Sequence, residues 1–293
     1  MTDPARRPRT AVITIAAGRE AHLQRQRDAL SAEEVDLHIV VGMTGLPRLR
    51  PVPTAPEVTA ISMTAGRRGL PLAAARNAGA RAAIEHGAEL LVFLDVDCVP
   101  GPGALSRYTT AALEVPPATL LCGPVAYLPP PTPQGYPPPG ELARLAAPHV
   151  GRPAPEPGRI LLDDKRFDLF WSLSFATSRD DWDRFGGFCE QFAGYGAEDT
   201  DFALRAAERG ARLAWVGGAI AYHQHHPPSR HEERHVRELV INARLFHRRH
   251  GFWPMEDWLT DLEQAEVVHF DRAHNVLRLL PGFGAKLQAH RLR

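Results

Sequence analysis

Residues 90–100 read LLVFLDVDCVP, an unbroken apolar run that ends in two aspartates one residue apart, Asp95 and Asp97. Leu91, Val92, Phe93 and Leu94 lack the polar alternation of a strand with one wet face, so the run predicts an inner parallel strand covered by helices on both sides. Side chains two apart in an extended chain point the same way. Asp95 and Asp97 are therefore expected to face a single hard cation or polar ligand just beyond the strand. Open α/β sheets bind ligands in the crevice outside the carboxyl ends of such strands.

The surrounding chain repeats the pattern of strand followed by helix. Ala11 to Ala16 is a β-branched run followed by Gly18-Arg19-Glu20 and a polar helical stretch to about Leu30. Leu37 to Val41 reads as a second strand and Glu57 to Ser62 as a third. Pro71 opens LAAARNAGARAAIEHG, a helix with proline in its first turn and Gly87 at its stop, and Pro102-Gly103-Ala104 starts another. This alternation predicts a doubly wound α/β fold with a mostly parallel sheet. Between Pro116 and Pro157 prolines are dense enough to exclude regular elements, apart from a short helix around Glu141 to Ala147. The stretch is expected to be a surface excursion or a lid over the active site. Leu169 to Thr177 alternates large apolar residues with serine, the signature of a half-exposed strand.

Composition narrows the function classes. The chain has 293 residues, 44% hydrophobic and 23% charged, which suits a folded globular protein. Lys+Arg and Asp+Glu both number 34, so no global basic field points to nucleic acid as a partner. Cys98, Cys122 and Cys189 are odd in number and unpaired in spacing, which suits a reducing compartment rather than a disulfide framework. No signal-type segment or membrane-length apolar run is present, so a cytoplasmic location is expected.

Two more constellations carry chemistry. Residues 185–210 read FGGFCEQFAGYGAEDTDFALRAAERG: a glycine-rich loop, then three acids in four positions opening a helix. The helix dipole explains one acid in a first turn, but three exceed what capping needs. Asp201 and Arg205, at i and i+4, are expected to pair along the helix, leaving Glu198 and Asp199 at its mouth for a substrate hydroxyl. Residues 221–228 read AYHQHHPP. His223 and His225 share a face of an extended segment and are candidate metal ligands, with His226 facing the other way as a spare. Carboxylate with imidazole favours Mn²⁺ over an all-oxygen Mg²⁺ site.

The ordered set of Gly18-Arg19, PLAAARN at 71–77, Asp95-Val96-Asp97, GYGAED at 194–199 and His223-Gln224-His225 resembles GT-A glycosyltransferases. It is similar in particular to bacterial family-two enzymes with a galactosyltransferase-type C-terminal motif. The resemblance implies a mixed, mostly parallel Rossmann-like sheet flanked by helices over residues 10–228: a nucleotide-sugar half at 10–127, a Pro-rich loop at 128–158 and an acceptor half at 159–228. A helical extension follows at 229–293. It also implies that Asp97 binds the metal under the donor diphosphate, with Asp95 on the ribose or metal shell and His223 or His225 completing the coordination. Asp199 becomes the base on the acceptor hydroxyl, Glu198 its neighbour, and Tyr195 and Gly196 part of the acceptor site. Tyr195 stands where eukaryotic galactosyltransferases carry tryptophan, and Thr200 where many carry a further acid. Ala16, Arg19 and Arg76 are candidate donor contacts.

Glycosyl transfer needs a cation at the departing diphosphate and a base on the opposite side of the sugar. One base without a second catalytic carboxylate favours a single displacement with inversion. The expected reaction is transfer from a nucleoside-diphosphate sugar, UDP-linked, to a carbohydrate, lipid-linked or small-molecule acceptor. A nucleotidyltransferase or a catalytically inactive nucleotide-sugar-binding module is the alternative. In the extension, Leu239, Val240, Ala243, Leu245 and Phe246 form an apolar stripe with Arg237, Arg244, Arg248 and Arg249 outside it. The stripe is expected to pack on the domain, the alternative being peripheral contact with a membrane.

Overall fold

A computed structural model describes residues 6–227 and 233–291; the expected boundary at 228–229 lies outside the described residues. The first half follows the alternating sequence pattern: β1 (Thr10–Ala16), α1 (Glu20–Leu30), β2 (Leu37–Gly42), β3 (Val58–Ser62), α2 (Leu72–Glu85) and β4 (Leu90–Leu94). After a turn come β5 (Cys98–Pro100), α3 (Ala104–Glu114), β6 (Thr119–Cys122), β7 (Val125–Tyr127), β8 (Ile160–Asp163), β9 (Ser174–Ser178) and α4 (Arg179–Phe185). Then follow α5 (Glu198–Glu208), β10 (Arg212–Val216), β11 (Ala221–His223), α6 (Glu233–His250), α7 (Glu256–Gln264), β12 (Val268–Asp271), β13 (Val276–Leu279) and α8 (Phe283–Arg291).

Eight strands form one sheet in the order β3-β2-β1-β4-β9-β6-β10-β8. Pairing is parallel from β3 to β4 and between β6 and β10, while β9 and the edge strand β8 run antiparallel to their neighbours. Both faces are buried, as the apolar β4 run requires. Val12, Val92, Ala176 and Ala214 share one apolar layer with Leu105 and Tyr108 of α3. Ile13, Phe93, Phe175 and Trp215 share the other with residues of α2, α4 and α5. Helix α2 comes so close that a Cβ at Gly79 would lie 2.5 Å from Ile13 Cγ2, which is why glycine stands inside that helix.

Two sequence expectations need correction. The proline-dense stretch contains β6, a sheet strand, as well as β7; the short helix there is a 3-10 turn at Pro139–Arg144. The prolines at 116, 117 and 124 fall beside these strands, so the ladder inside them keeps its N–H donors. The half-exposed strand expected at Leu169 to Thr177 is β9 alone, and it is buried between β4 and β6. Its Ser174 is accommodated there because the hydroxyl lies 2.8 Å from Tyr108 Oη, satisfying a polar group that sequence alone would send to solvent.

The extension is a packed unit. Val236, Leu239, Trp253, Leu259, Phe270 and Leu277 form its core, while Leu245 and Phe246 join Phe192 and Ala197 of the main body. The expected apolar stripe is thus buried, leaving none of that face for lipid. Among the described residues no helix is long and apolar enough to cross a membrane.

Candidate active site

The chain does not stay extended after β4. The Cys98 N–H bonds the Asp95 carbonyl at 2.8 Å, closing a tight turn over residues 95–98. Gln26 of α1, fully buried, holds this turn by donating to the Asp95 and Cys98 carbonyls, both at 2.8 Å. The two carboxylates consequently diverge instead of facing one cation, correcting the expectation drawn from their spacing. Asp95 turns to Arg76, whose Nη2 lies 3.1 Å from Oδ1. Asp97 turns to the far side, against Arg19.

A small sheet builds the Asp97 side. Antiparallel pairing of β11 with β5 sets His223 opposite Cys98, one residue past Asp97, and the Gln224 N–H then bonds the Asp97 carbonyl at 2.7 Å. The strand ends at His223, so the next residues are not in the extended geometry that would put His225 beside it. His226 joins instead: one ligand atom each from Asp97, His223 and His226 lies within 4.8 Å of the others. His225 is exposed and its N–H donates to Tyr136 Oη at 3.0 Å, so His226 replaces it in the group. Asp97 Oδ1 is buried and accepts no hydrogen bond. A buried carboxylate oxygen without a donor beside two imidazoles fits a divalent transition-type cation. Burial pushes the His223 imidazole down to about 4, keeping it neutral and able to ligate near pH 7.

Ala16 ends β1 at the crevice edge with its carbonyl bonded to the Met43 N–H at 2.7 Å. Arg19 follows in the left-handed region at φ 60°, a conformation costly for a side chain of its size and thus a sign of local constraint. Its guanidinium pairs with Asp97. Arg76 does not lie open to a diphosphate or a base as expected. It is 4% exposed, pinned between Asp95 and Glu198, with Nη1 3.2 Å from Glu198 Oε1. Burial works against its charge, but Asp95, Glu198 and Asp199 more than offset this and hold it above its ordinary pKa.

The glycine-rich loop delivers the second acidic pair. Gly194 and Gly196 have positive φ, and Ala197, at φ 72°, starts α5. Glu198 is buried against Arg76, while Asp199 is half-buried and accepts the Thr200 N–H at 2.8 Å. Burial raises both carboxyl pKa values; the neighbouring Asp199 charge adds to the rise at Glu198, and Arg76 opposes it at both. Asp201 points away into the protein, fully buried. It meets Arg205 at 3.7 Å as expected, and more closely Arg249 Nε at 2.6 Å and His250 Nε2 at 2.9 Å from α6.

Helix α6 also reaches the glycine-rich loop, a contact not expected from the sequence. Glu238 Oε2 accepts the Tyr195 N–H at 3.0 Å, and Asn242 Nδ2 donates to the Ala193 and Tyr195 carbonyls. Gly194 sits against the Glu238 side chain at φ 74°, a backbone conformation that favours glycine. The signal in the sequence was a carboxylate and an amide embedded in the apolar run 236–246. Tyr195 is 42% exposed, its ring against Trp258 and His235.

Known proteins share parts of this chain. A family model described as the N-terminal domain of galactosyltransferase matches residues 164–229, the span of β9, the glycine-rich loop, α5 and the histidine segment. Two validoxylamine A glucosyltransferases, from Streptomyces hygroscopicus subspecies jinggangensis and limoneus, are 30% identical over 201 residues, 62% of this chain. The chain spans less than half the length of these relatives, 45% and 42% respectively. Among solved structures, S. aureus TarS 1-349 superimposes with TM-score 0.53 at 13% identity, covering 88% of this chain and 69% of that one. GalNAc-T7 with UDP, GalNAc and Mn²⁺ gives 0.50 at 11% identity, covering 88% and 57%. The chain thus shares its fold with these solved structures and carries, at residues 164–229, a segment similar to the N-terminal domain of galactosyltransferase.

Proposed function

We propose that the protein transfers a sugar from a nucleoside-diphosphate donor, UDP-linked, to an acceptor hydroxyl with inversion at the anomeric carbon. The observation that carries this is the linkage of the Asp97, His223 and His226 group to the Glu198-Asp199 mouth of α5 through Asp95 and Arg76. A divalent cation held by Asp97, His223 and His226 supplies charge neutralisation for the departing diphosphate. Arg19, beside Asp97, adds a guanidinium suited to a phosphate oxygen.

On the other side, Asp199 takes the proton from the attacking hydroxyl. Its carboxylate is the one of the pair with solvent access, whereas Glu198 is buried and engaged by Arg76. Burial raises its pKa, against the opposing charge of Arg76, which makes its carboxylate a stronger base than that of a free aspartate. Arg76 keeps the acidic pair from repelling Asp95. With Glu198 bound in this way, one carboxylate remains to act on the acceptor, as a single displacement requires. In this reading Tyr195 and Gly196, part of the loop that α6 binds through Glu238 and Asn242, border the acceptor.

The donor and metal are tested together by following hydrolysis of UDP-, GDP- and dTDP-sugars with Mn²⁺, with Mg²⁺ and with chelator. Hydrolysis of a UDP-sugar that stops on chelation is expected, and proton NMR of the first transfer product should show the inverted anomer. Cleavage of a nucleoside triphosphate with no sugar-donor turnover would instead mark a nucleotidyltransferase.

A further inference from the structure

Two fully buried glutamines, Gln26 and Gln224, flank the Asp97-His223-His226 group, and both are tied to helix α1. A buried carboxamide costs free energy unless its donors and its acceptor find partners. Gln26 uses both ends of its amide: Nε2 donates to the Asp95 and Cys98 carbonyls, and Oε1 accepts the Thr14 hydroxyl at 2.9 Å. Thr14 Oγ1 in turn lies 3.1 Å from His38 Nε2, so the amide is oriented from inside the sheet. Gln224 is bonded as completely. Its N–H meets the Asp97 carbonyl, its Nε2 donates to the His22 carbonyl at 3.1 Å, and its Oε1 accepts from Arg25 Nη1.

His22, Arg25 and Gln26 stand at i, i+3 and i+4 in α1 and so share one helix face. That face meets two segments far apart in sequence. One is the turn at 95–98, which carries Asp97; the other is the run 223–226, in which Gln224 follows His223 and precedes His226 by two residues. Two more contacts tie α1 to the second segment. His22 Nε2 lies 3.4 Å from the His225 carbonyl, and the Arg25 guanidinium sits 5.2 Å over the ring of Tyr136, whose hydroxyl takes the His225 N–H. The β5-β11 pairing joins the segments to each other directly. Every bond in this set runs between protein atoms.

We propose that Gln26 and Gln224 are positioning residues that preassemble the Asp97-His223-His226 group on α1, so that the metal does not have to order the two segments as it binds. This rests on the metal reading proposed above and deepens it by naming what sets the affinity. A preordered site avoids the entropy cost of fixing its ligands at the moment of binding.

The experiment uses the full chain with Mn²⁺ alone as the probe and Gln26→Met and Gln224→Met as the variants, each close in length to glutamine but unable to form these bonds. Calorimetry reads Mn²⁺ affinity, and amide hydrogen exchange in chelator reads the order of residues 98 and 224 before metal enters. Each variant is expected to bind Mn²⁺ about 10- to 100-fold more weakly, the usual effect of losing a partner that orients ligands. The Cys98 amide in Gln26→Met and the residue 224 amide in Gln224→Met should exchange about tenfold faster or more, while the amides of β1 and β4 keep their protection. Three results overturn the proposal. They are unchanged Mn²⁺ affinity in both variants, affinity lost only together with faster exchange across β1 and β4, or residues 98 and 224 of the unaltered chain exchanging freely until Mn²⁺ is added. The last would make the metal, and not α1, the organiser. If the unaltered chain binds no Mn²⁺, the metal site of the proposed function falls, and the exchange measurement still decides whether α1 orders the two segments.

Discussion

Single residues divide the proposed site into a metal side and a base side. Asp97, whose Oδ1 accepts no hydrogen bond and which lies beside His223 and His226, is the proposed cation ligand. Asp97→Ala should abolish the Mn²⁺-dependent part of UDP affinity while leaving the melting temperature near its original value; calorimetry with and without Mn²⁺ reads this directly. Asp199→Asn keeps size and the contact with the Thr200 N–H but has no basicity. It should bind donor and metal as before and lose about 10²- to 10⁴-fold in transfer rate. Undiminished transfer by that variant would move the base to Glu198, which Glu198→Gln would then expose. Asp97 was legible in the sequence as an acid at a strand end. Its separation from Asp95 was not, because a backbone bond between residues 95 and 98 turns the chain, and nothing in an Asp-x-Asp spacing reports a turn.

At the level of elements, α5 and α6 behave as one piece. Asp201 of α5 is fully buried and accepts from Arg249 and His250 of α6, and Asn242 and Glu238 of α6 hold the loop that leads into α5. Asp201→Asn therefore breaks a buried charge contact between two helices instead of a local pair on one. It should cost about 2 kcal/mol of stability, since its cationic partners keep partial access to water. Because the loop hangs on α6, the same variant should raise the acceptor KM more than it changes donor affinity. Urea midpoints and steady-state kinetics at saturating donor check the two effects. The i,i+4 spacing of Asp201 and Arg205 was readable, but the closer partners lie 48 and 49 residues away, beyond any local pattern.

Across the whole molecule, stability carries a pH signature from the inner sheet. His38 of β2 is 1% exposed, lies 3.1 Å from Thr14 Oγ1, and burial pushes its pKa down to about 3. The unfolded imidazole takes up a proton near pH 6.5 and the folded one does not, so stability is fully present above that value and falls as pH drops toward about 3. His38→Gln should flatten the loss between pH 7 and pH 5, seen as a smaller shift of the urea midpoint, whatever its effect at pH 7. The alternating strands and helices, the buried β4 run and the acidic mouth of α5 were determined by sequence alone. Each rests on short-range periodicity, proline and glycine positions, and the sign of charge at a helix start. The tertiary structure alone decided that β6 sits inside the sheet, that His226 and not His225 stands with Asp97, that Arg76 bridges two acids, and that α6 holds the glycine-rich loop. Those outcomes depend on which distant segments pair and which polar atoms must find partners once buried, and both are settled only when the chain closes on itself.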